Sequence, residues 1–348
     1  MIKNKKHLIV GAGLSGICIA IQLVRRGARV TIIDKGENFS SIIAAGMINP
    51  LVFRRMTKSW RVDEFLPYLI DFYTTIEQET EANFFYELPI RRLFSSEQER
   101  DFWLEKENNP AFQAYMHPVT EGDKSYNKAK NPFGSGRVKN SCFVDVHSFV
   151  EATHRWIKQR AELRQEVFDY GALDGLNHKN EQFDAVIFCE GFENKNNPWF
   201  GELPLDQTKG QTLTIRATSL PNDVSLNRKC FVQPRENGTY KIGSTYEWHN
   251  STTHITEEAK EEILQNLSYI TDEKVEVLSQ EAGIRPTTRD RRPLLGTHPK
   301  HTNYHIFNGL GAKGYMLAPL LSEEFVRYLE GELILDKEVN ISRYFKPE

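Results

Sequence analysis

The sequence predicts an α/β (α+β) architecture in which a parallel sheet of the nucleotide-binding kind is interleaved with an antiparallel sheet. Three observations predict it. The chain opens on a β-turn-α-β pattern: HLIV (7–10), then GAGLSG (11–16) leading into a helix to about residue 26, then ARVTIID ending a second strand at Asp34. Buried-strand texture returns at FDAVIFCEG (183–191), and near the end NYHIFNGLGAKGYMLAP reads as strand, glycine turn and helix. Between these, after Pro204, QTLTIRA, CFVQPR and TYKIGSTYEW alternate with period two, as half-buried antiparallel strands do. Two interleaved units explain this order better than two consecutive ones. Residues 1–49, 142–207 and 283–348 are assigned to the nucleotide-binding unit, and 50–141 and 208–282 to the antiparallel one.

The remaining elements follow local signals. Helical spacing covers 63–82 and, more briefly, 97–108. Residues 117–141 are rich in Pro, Gly, Lys and Asn and read as loop or hairpin. A helix is expected over 147–163 with Asp145 as its N-cap, a strand over 165–170, and a helix over 257–270.

At 348 residues the chain exceeds one ordinary domain, and 39% hydrophobic with 26% charged residues suits a large packed core. A net charge of -3 excludes bulk attraction to nucleic acid or acidic membranes, so any anion binding is local. Cys18, Cys142, Cys189 and Cys230 show no metal-ligand spacing and read as buried free thiols of a reducing compartment. The basic start and apolar run resemble a signal peptide, but Gly11, Gly13 and Gly16 interrupt the run and no small-residue cleavage site follows. A cytoplasmic chain is therefore expected, and no apolar run is long enough to span a membrane.

GAGLSG fits G-x-G-x-x-G in its Rossmann-type context, after a strand and opening a helix. Gly11 permits the tight turn, Gly13 admits a pyrophosphate to the backbone, and Gly16 lets helix and strand pack closely. Free N–H groups at the helix start favour a diphosphate, and Asp34 would accept hydrogen bonds from a ribose. The motif alone does not separate FAD from NAD. In SSIIAAGMINP, Ala44, Ala45 and Gly46 let main chain pass a flat ring or a phosphate, a simple small-residue turn being the alternative. Arg54, Arg55, Lys58 and Arg61 read as a solvated basic face or as the rim of a substrate mouth. In GIRPTTRDRRPLLG (283–296), Arg285 offers a rigid fork that matches a carboxylate, whereas Arg289, Asp290, Arg291 and Arg292 resemble a salt-bridged corner.

With GAGLSG, AAGMINP, FDAVIFCEG, KGQTL, GIRPTTRDRRPLLG and GLGAKGYMLAP in this order, the whole chain resembles the D-amino-acid oxidase, glycine oxidase and sarcosine oxidase family of FAD enzymes. The resemblance implies an FAD-binding domain of discontinuous segments beside a substrate domain built on an antiparallel sheet. It implies pyrophosphate binding by Gly11, Gly13 and Gly16, ribose binding by Asp34, and flavin-side backbone contacts from Ala45, Gly46 and Met47. It further implies an adenine contact through the Val167 backbone, a shell completed by Gly191, Gly311, Lys313 and Gly314, and a substrate carboxylate on Arg285. Two positions depart from glycine oxidase: Phe231 where that enzyme has a tyrosine, and Ala312-Lys313 where it has a second arginine. No histidine-cysteine attachment pattern is evident, so non-covalent FAD is expected.

TRDRRPLLG, GSTYEW and GAKGYMLAPLL are also similar to the oxidase domain of the bacterial enzyme that removes a carboxymethyl group from a wobble-uridine side chain of tRNA. The expected activity is oxidation of the C–N bond of an amino acid or N-substituted glycine, with a small amine or amino acid as substrate and tRNA as the alternative partner. Tyr246 is the candidate for lining the substrate pocket, a packed aromatic being the other reading.

Overall fold

The computed structural model describes residues 2–37 and 40–345. Five parallel strands and one antiparallel strand form the first sheet. Its order is Glu162–Gln165, Arg29–Asp34, Lys6–Val10, Ala185–Phe188, Tyr304–Asn308 and Leu294–Thr297, the last pairing antiparallel. From Lys6–Val10 the chain builds outward first to one side and later to the other, so the strand order reverses between Lys6–Val10 and Ala185–Phe188. In open α/β sheets, ligands bind outside the carboxyl ends of the strands at such a reversal.

Helices Leu14–Arg25, Val62–Thr80, Val146–Lys158 and Gly314–Leu329 pack into the largest core cluster. Asp145 caps Val146–Lys158, accepting from His147 N–H (3.1 Å) and Ser148 N–H (3.2 Å). Pro319 sits inside Gly314–Leu329 and has no N–H to give the carbonyl four residues back, Tyr315 O. The fully buried Tyr73 hydroxyl donates to that carbonyl instead, at 2.7 Å. Tyr73→Phe strands the carbonyl without a partner, and a loss of about 1–3 kcal/mol in urea unfolding is expected; an unchanged midpoint would show the bond to be dispensable.

The second sheet, antiparallel except where Ser225–Arg228 and Ile90–Leu93 pair in parallel, runs Glu247–Trp248, Leu205–Arg216, Thr239–Gly243, Cys230–Pro234, Ser225–Arg228, Ile90–Leu93 and Ser135–Val138, and Glu276–Thr288 also pairs with Leu205–Arg216. Leu205–Arg216 and Glu276–Thr288 stay paired from Leu205↔Thr288 to Arg216↔Glu276. They run without a break through 207–208 and 282–283, where boundaries between two units are expected from the sequence. A three-stranded sheet of Met47–Ile48, Cys142–Val144 and Phe85–Glu87 ties residues 46–48 to the rest.

Two expectations shift. The strand expected over 165–170 lies at Glu162–Gln165, because the helix before it ends at Lys158 and the pairing register ends at Gln165↔Asp34. The loop or hairpin of 117–141 holds a short helix, Glu121–Lys124, and the strand Ser135–Val138.

Candidate active site

A cleft of about 700 Å³ runs from the switch point of the parallel sheet to the antiparallel sheet. Gly11, Gly13, Asp34, Ala45, Gly46, Met47, Val167, Gly191, Gly311, Lys313, Gly314, Phe231 and Arg285 all border it.

At the switch point the walls require glycine. Gly11 adopts φ +103°, and a Cβ there would stand 2.5 Å from Cys189 O. Gly16 does not border the cleft; a Cβ on it would stand 1.9 Å from Gly11 O, so its part is to let the helix start lie on the turn. Gly13 forms the N-cap of Leu14–Arg25 with no side-chain cap bond, and Leu14 N–H donates to Ser41 Oγ (3.0 Å). Asp34 accepts from Ala12 N–H at 2.6 Å and Gly36 N–H at 2.7 Å, one on each oxygen, which leaves a lone pair on each for a ligand. Val167 is 72% exposed at this end.

Glu190 was not anticipated as a site residue, although it stands in the FCEG motif. It borders the cleft, accepts from Asn197 Nδ2 (2.7 Å) and is bonded by the Tyr170 hydroxyl. Burial nevertheless raises its carboxyl to about 7, against the lowering effect of those two donors. A carboxyl raised in the folded state contributes stability that is complete below its ordinary value of about 4.5 and is lost as pH rises through about 7. Relative to Glu190→Gln, the wild type should therefore lose on the order of 3 kcal/mol between about pH 4.5 and 8 in urea unfolding. A pH-independent difference would contradict this.

The opposite end is cationic. Arg285 projects over Gly210, where a Cβ would stand 2.1 Å from its Nη2. Its guanidinium donates to Ser244 Oγ (2.8 Å) and Thr245 O (3.4 Å), and lies 5.1 Å from the ring centre of Tyr246. Among the described residues no carboxylate lies within ion-pair distance of it, and burial lowers its pKa. Lys313 is similar: its Nζ donates to Ser59 Oγ, and burial, with Arg291 nearby, pushes its ammonium down to about 8. Tyr246 lies outside the cleft, 43% exposed, with its ring edge-to-face against Trp248 at 5.4 Å. It packs on Arg285 from the solvent side rather than lining the pocket.

The basic run 54–61 does not act as one patch. Lys58 pairs with Asp63, and Arg61 with Glu64 and Glu324, while Arg54 and Arg55 are exposed and make no ion pair among the described residues. In the Arg289–Arg292 corner, Arg292 pairs with Glu338 and stacks on Trp60 (4.6 Å), and Asp290 accepts from Arg292 N–H (3.0 Å) and Tyr344 Oη (3.0 Å). Arg289 lies 3.7 Å from Asp206, and Arg291 is exposed.

A family model described as DAO, FAD dependent oxidoreductase, matches residues 6–328. The chain belongs to that family. As an FAD-dependent oxidoreductase it needs an anion seat, a ribose acceptor and a wall that a flat ring can approach. The uncapped helix start, the Asp34 carboxylate and the Ala44–Met47 wall fit those needs. Gly46 makes that wall possible: it has φ +68°, and a Cβ would stand 1.9 Å from Val144 O.

Among related proteins, glycine oxidase of Pseudomonas putida is 23% identical over 96% of this chain and 97% of its own length. The tRNA 5-methylaminomethyl-2-thiouridine biosynthesis bifunctional protein of Campylobacter jejuni is 22% identical over 85% of this chain, which spans only 46% of that protein. Among solved structures, glycine oxidase from Geobacillus kaustophilus superposes with a TM-score of 0.80 at 20% identity, covering 98% of both chains. Iminodiacetate oxidase from Chelativorans sp. BNC1 gives 0.74 at 21% identity, over 97% of this chain and 98% of that one. These likenesses establish the fold. No helix among the described residues is long and apolar enough to cross a membrane, and all four cysteines are free and buried.

Proposed function

We propose that this oxidoreductase oxidises the C–N bond of an amino acid or N-substituted glycine whose carboxylate rests on Arg285. The observation that carries the reading is the guanidinium itself, set into the cleft wall with hydroxyl, carbonyl and ring contacts but no acidic partner. A half-buried cation without a counter-ion keeps bonding capacity for an anion, and a planar carboxylate supplies the two parallel bonds its fork offers. Glycine oxidase and iminodiacetate oxidase, named for amines that carry carboxylates, are of the same fold.

In this reading Gly11, Gly13 and the start of Leu14–Arg25 hold the pyrophosphate, with Gly16 supporting the turn, and Asp34 accepts from the ribose. Val167 contacts adenine through its backbone. Ala45, Gly46 and Met47 flank the flavin, and Gly191, Gly311, Lys313 and Gly314 complete the shell. Bound FAD supplies the hydride acceptor. Arg285 orients the α-carbon and Phe231 closes the pocket with an apolar ring, which keeps water from the reacting carbon. The substrate amine must be neutral for hydride to leave, and the imine product then hydrolyses. Burial raises the Cys189 thiol far above its usual range, so the one cysteine in the cleft wall stays an unreactive thiol, in keeping with non-covalent FAD.

A second substrate reading, a carboxymethylaminomethyl group on tRNA, draws on the named relative and on the unpaired, exposed Arg54 and Arg55. Anaerobic flavin bleaching separates the two readings. Glycine, sarcosine, D-amino acids and tRNA bearing the modification are each added to the holoprotein, beside the methyl ester of every acid that bleaches it. Bleaching by a free amino acid, at least about 100-fold slower with its ester, supports the first reading. Bleaching by the tRNA alone, lost on neutralising Arg54 and Arg55, replaces it with the second.

A further inference from the structure

The end of the cleft away from Arg285 holds a carboxyl that the cofactor shell leaves unexplained. After the strand Ala185–Phe188 the chain runs directly against the glycine turn: a Cβ on Gly11 would stand 2.5 Å from Cys189 O and 3.5 Å from Glu190 N. Glu190 therefore stands beside the turn assigned to the pyrophosphate, and both it and Tyr170 border the cleft. Asp34, Lys35 and Glu193 border it as well. Lys35 is paired with Glu193, and among the described residues no cation lies within ion-pair distance of Glu190.

The groups that bond Glu190 are neutral. The Tyr170 hydroxyl, from the short helix Tyr170–Ala172, donates to Oε1, and Asn197 Nδ2 donates to Oε2 at 2.7 Å. The Asn197 amide is fixed in that sense, because its Oδ1 accepts from Trp199 N–H and Phe200 N–H, both at 2.9 Å. These donors satisfy one lone pair on each oxygen without cancelling the charge, and the remaining lone pairs are open to a proton. Desolvation sets the carboxyl at about 7, and Glu193 also raises it. Desolvation pushes the Tyr170 hydroxyl and the Cys189 thiol far above their usual ranges, so neither exchanges a proton near neutrality. Across the turn stand Asp34, which accepts from Ala12 N–H, and His154, whose Nε2 lies 2.9 Å from Ala12 O.

A diphosphate brings negative charge to this wall. The helix start favours it, but an ionised Glu190 opposes it, since like charges disfavour the ionised form of a carboxyl. With no cation paired to Glu190 among the described residues, protonation is what removes the repulsion. The acid is neutral, keeps both of its neutral donors, and gains an O–H to offer an oxygen of the bound dinucleotide.

We infer that Glu190 is a cofactor-binding residue that works as the acid, so that FAD enters together with one proton taken from solvent. The inference rests on the pyrophosphate site proposed above. The Glu190 carboxylate, a solvent proton and the FAD anion give a neutral acid beside the bound anion, so atoms and charge balance. The sign follows from the free protein. Affinity is fully expressed below about pH 7, where the carboxyl already carries its proton, and falls as pH rises above that value.

FAD itself exchanges no proton between about pH 6 and 8, so equilibrium dialysis at those two values reads the protein's share alone. Expected is an FAD dissociation constant about 10-fold weaker at the higher pH. Calorimetry there, in buffers of different ionisation enthalpy, should show close to one proton taken up per FAD. Glu190→Gln, a neutral isostere, should bind FAD equally at both values with no proton uptake. Tyr170→Phe removes a donor that favours the carboxylate, and should move the loss of affinity to higher pH. A wild-type constant that is flat in pH overturns the inference and leaves the pyrophosphate site standing. So does a pH dependence that persists in Glu190→Gln, which would belong to His154 or another group. If the wild type binds no FAD at either value, the site falls, and the inference with it.

Discussion

Gly16→Ala is expected to yield a protein that purifies largely without FAD. The added Cβ would stand 1.9 Å from Gly11 O, and a backbone carbonyl cannot swing aside as a long side chain can. Relief requires the start of Leu14–Arg25 to move off the turn. That turn is pinned by Gly11 N–H on Ile33 O (2.8 Å) and Ala12 N–H on Asp34 (2.6 Å), so the strain spreads to the carboxylate assigned to the ribose. Overpacking of this kind costs about 1–3 kcal/mol. Falling on the helix start that faces the pyrophosphate, it should raise the FAD dissociation constant about 100-fold. Equilibrium dialysis against FAD measures this, and native affinity in Gly16→Ala would show that the turn does not seat the cofactor.

Arg285→Ala carries the second large effect, and its sign differs between stability and catalysis. In the free protein the guanidinium is half-buried against Ser244, Thr245 and Tyr246 with no carboxylate partner among the described residues, and desolvation lowers its pKa. Removing it therefore relieves a desolvated charge and should leave the urea midpoint nearly unchanged or slightly raised. For a carboxylate substrate the same change deletes a bidentate charged contact, which costs about 2–5 kcal/mol, a fall of roughly 30- to 4000-fold in kcat/KM. Arg285→Lys should recover little, because an ammonium cannot offer the planar fork. A stability loss that matched the activity loss would instead make Arg285 a structural residue.

Much of the cleft was legible in the sequence because glycine spacing is a local signal. The turn 11–16, the small-residue wall at 44–46 and the glycine turn at 309–314 each encode a close backbone approach within a few residues. Arg285 stood out because a proline follows it and its neighbours carry the acidic partner. Other features depend on partners far along the chain. Arg61 is satisfied by Glu324, a separation of 263 residues, so the basic run could not be divided into paired and unpaired members beforehand. Tyr246 is expected to line the pocket, but it lies in the loop before Glu247–Trp248, and that loop decides that its ring packs on the Arg285 guanidinium outside the cleft. Glu190 stands inside a quoted motif, FCEG, yet its importance lies in the surroundings that raise its carboxyl and in the Tyr170 and Asn197 donors that meet it. Neither property is written in residue type. The strand lies at Glu162–Gln165 and not at 165–170 because Val167, Phe168 and Tyr170 carry strand propensity, whereas pairing with Arg29–Asp34 decides the register.

The central claim is that one cleft holds FAD and presents to it an amine anchored by its carboxylate. Its most direct test is anaerobic titration of the purified holoprotein with sarcosine, read from the flavin absorbance and repeated with Arg285→Ala. The account predicts stoichiometric bleaching in the wild type and a reduction rate at limiting sarcosine at least about 30-fold lower in the variant. Bleaching at equal rates in both proteins would contradict it.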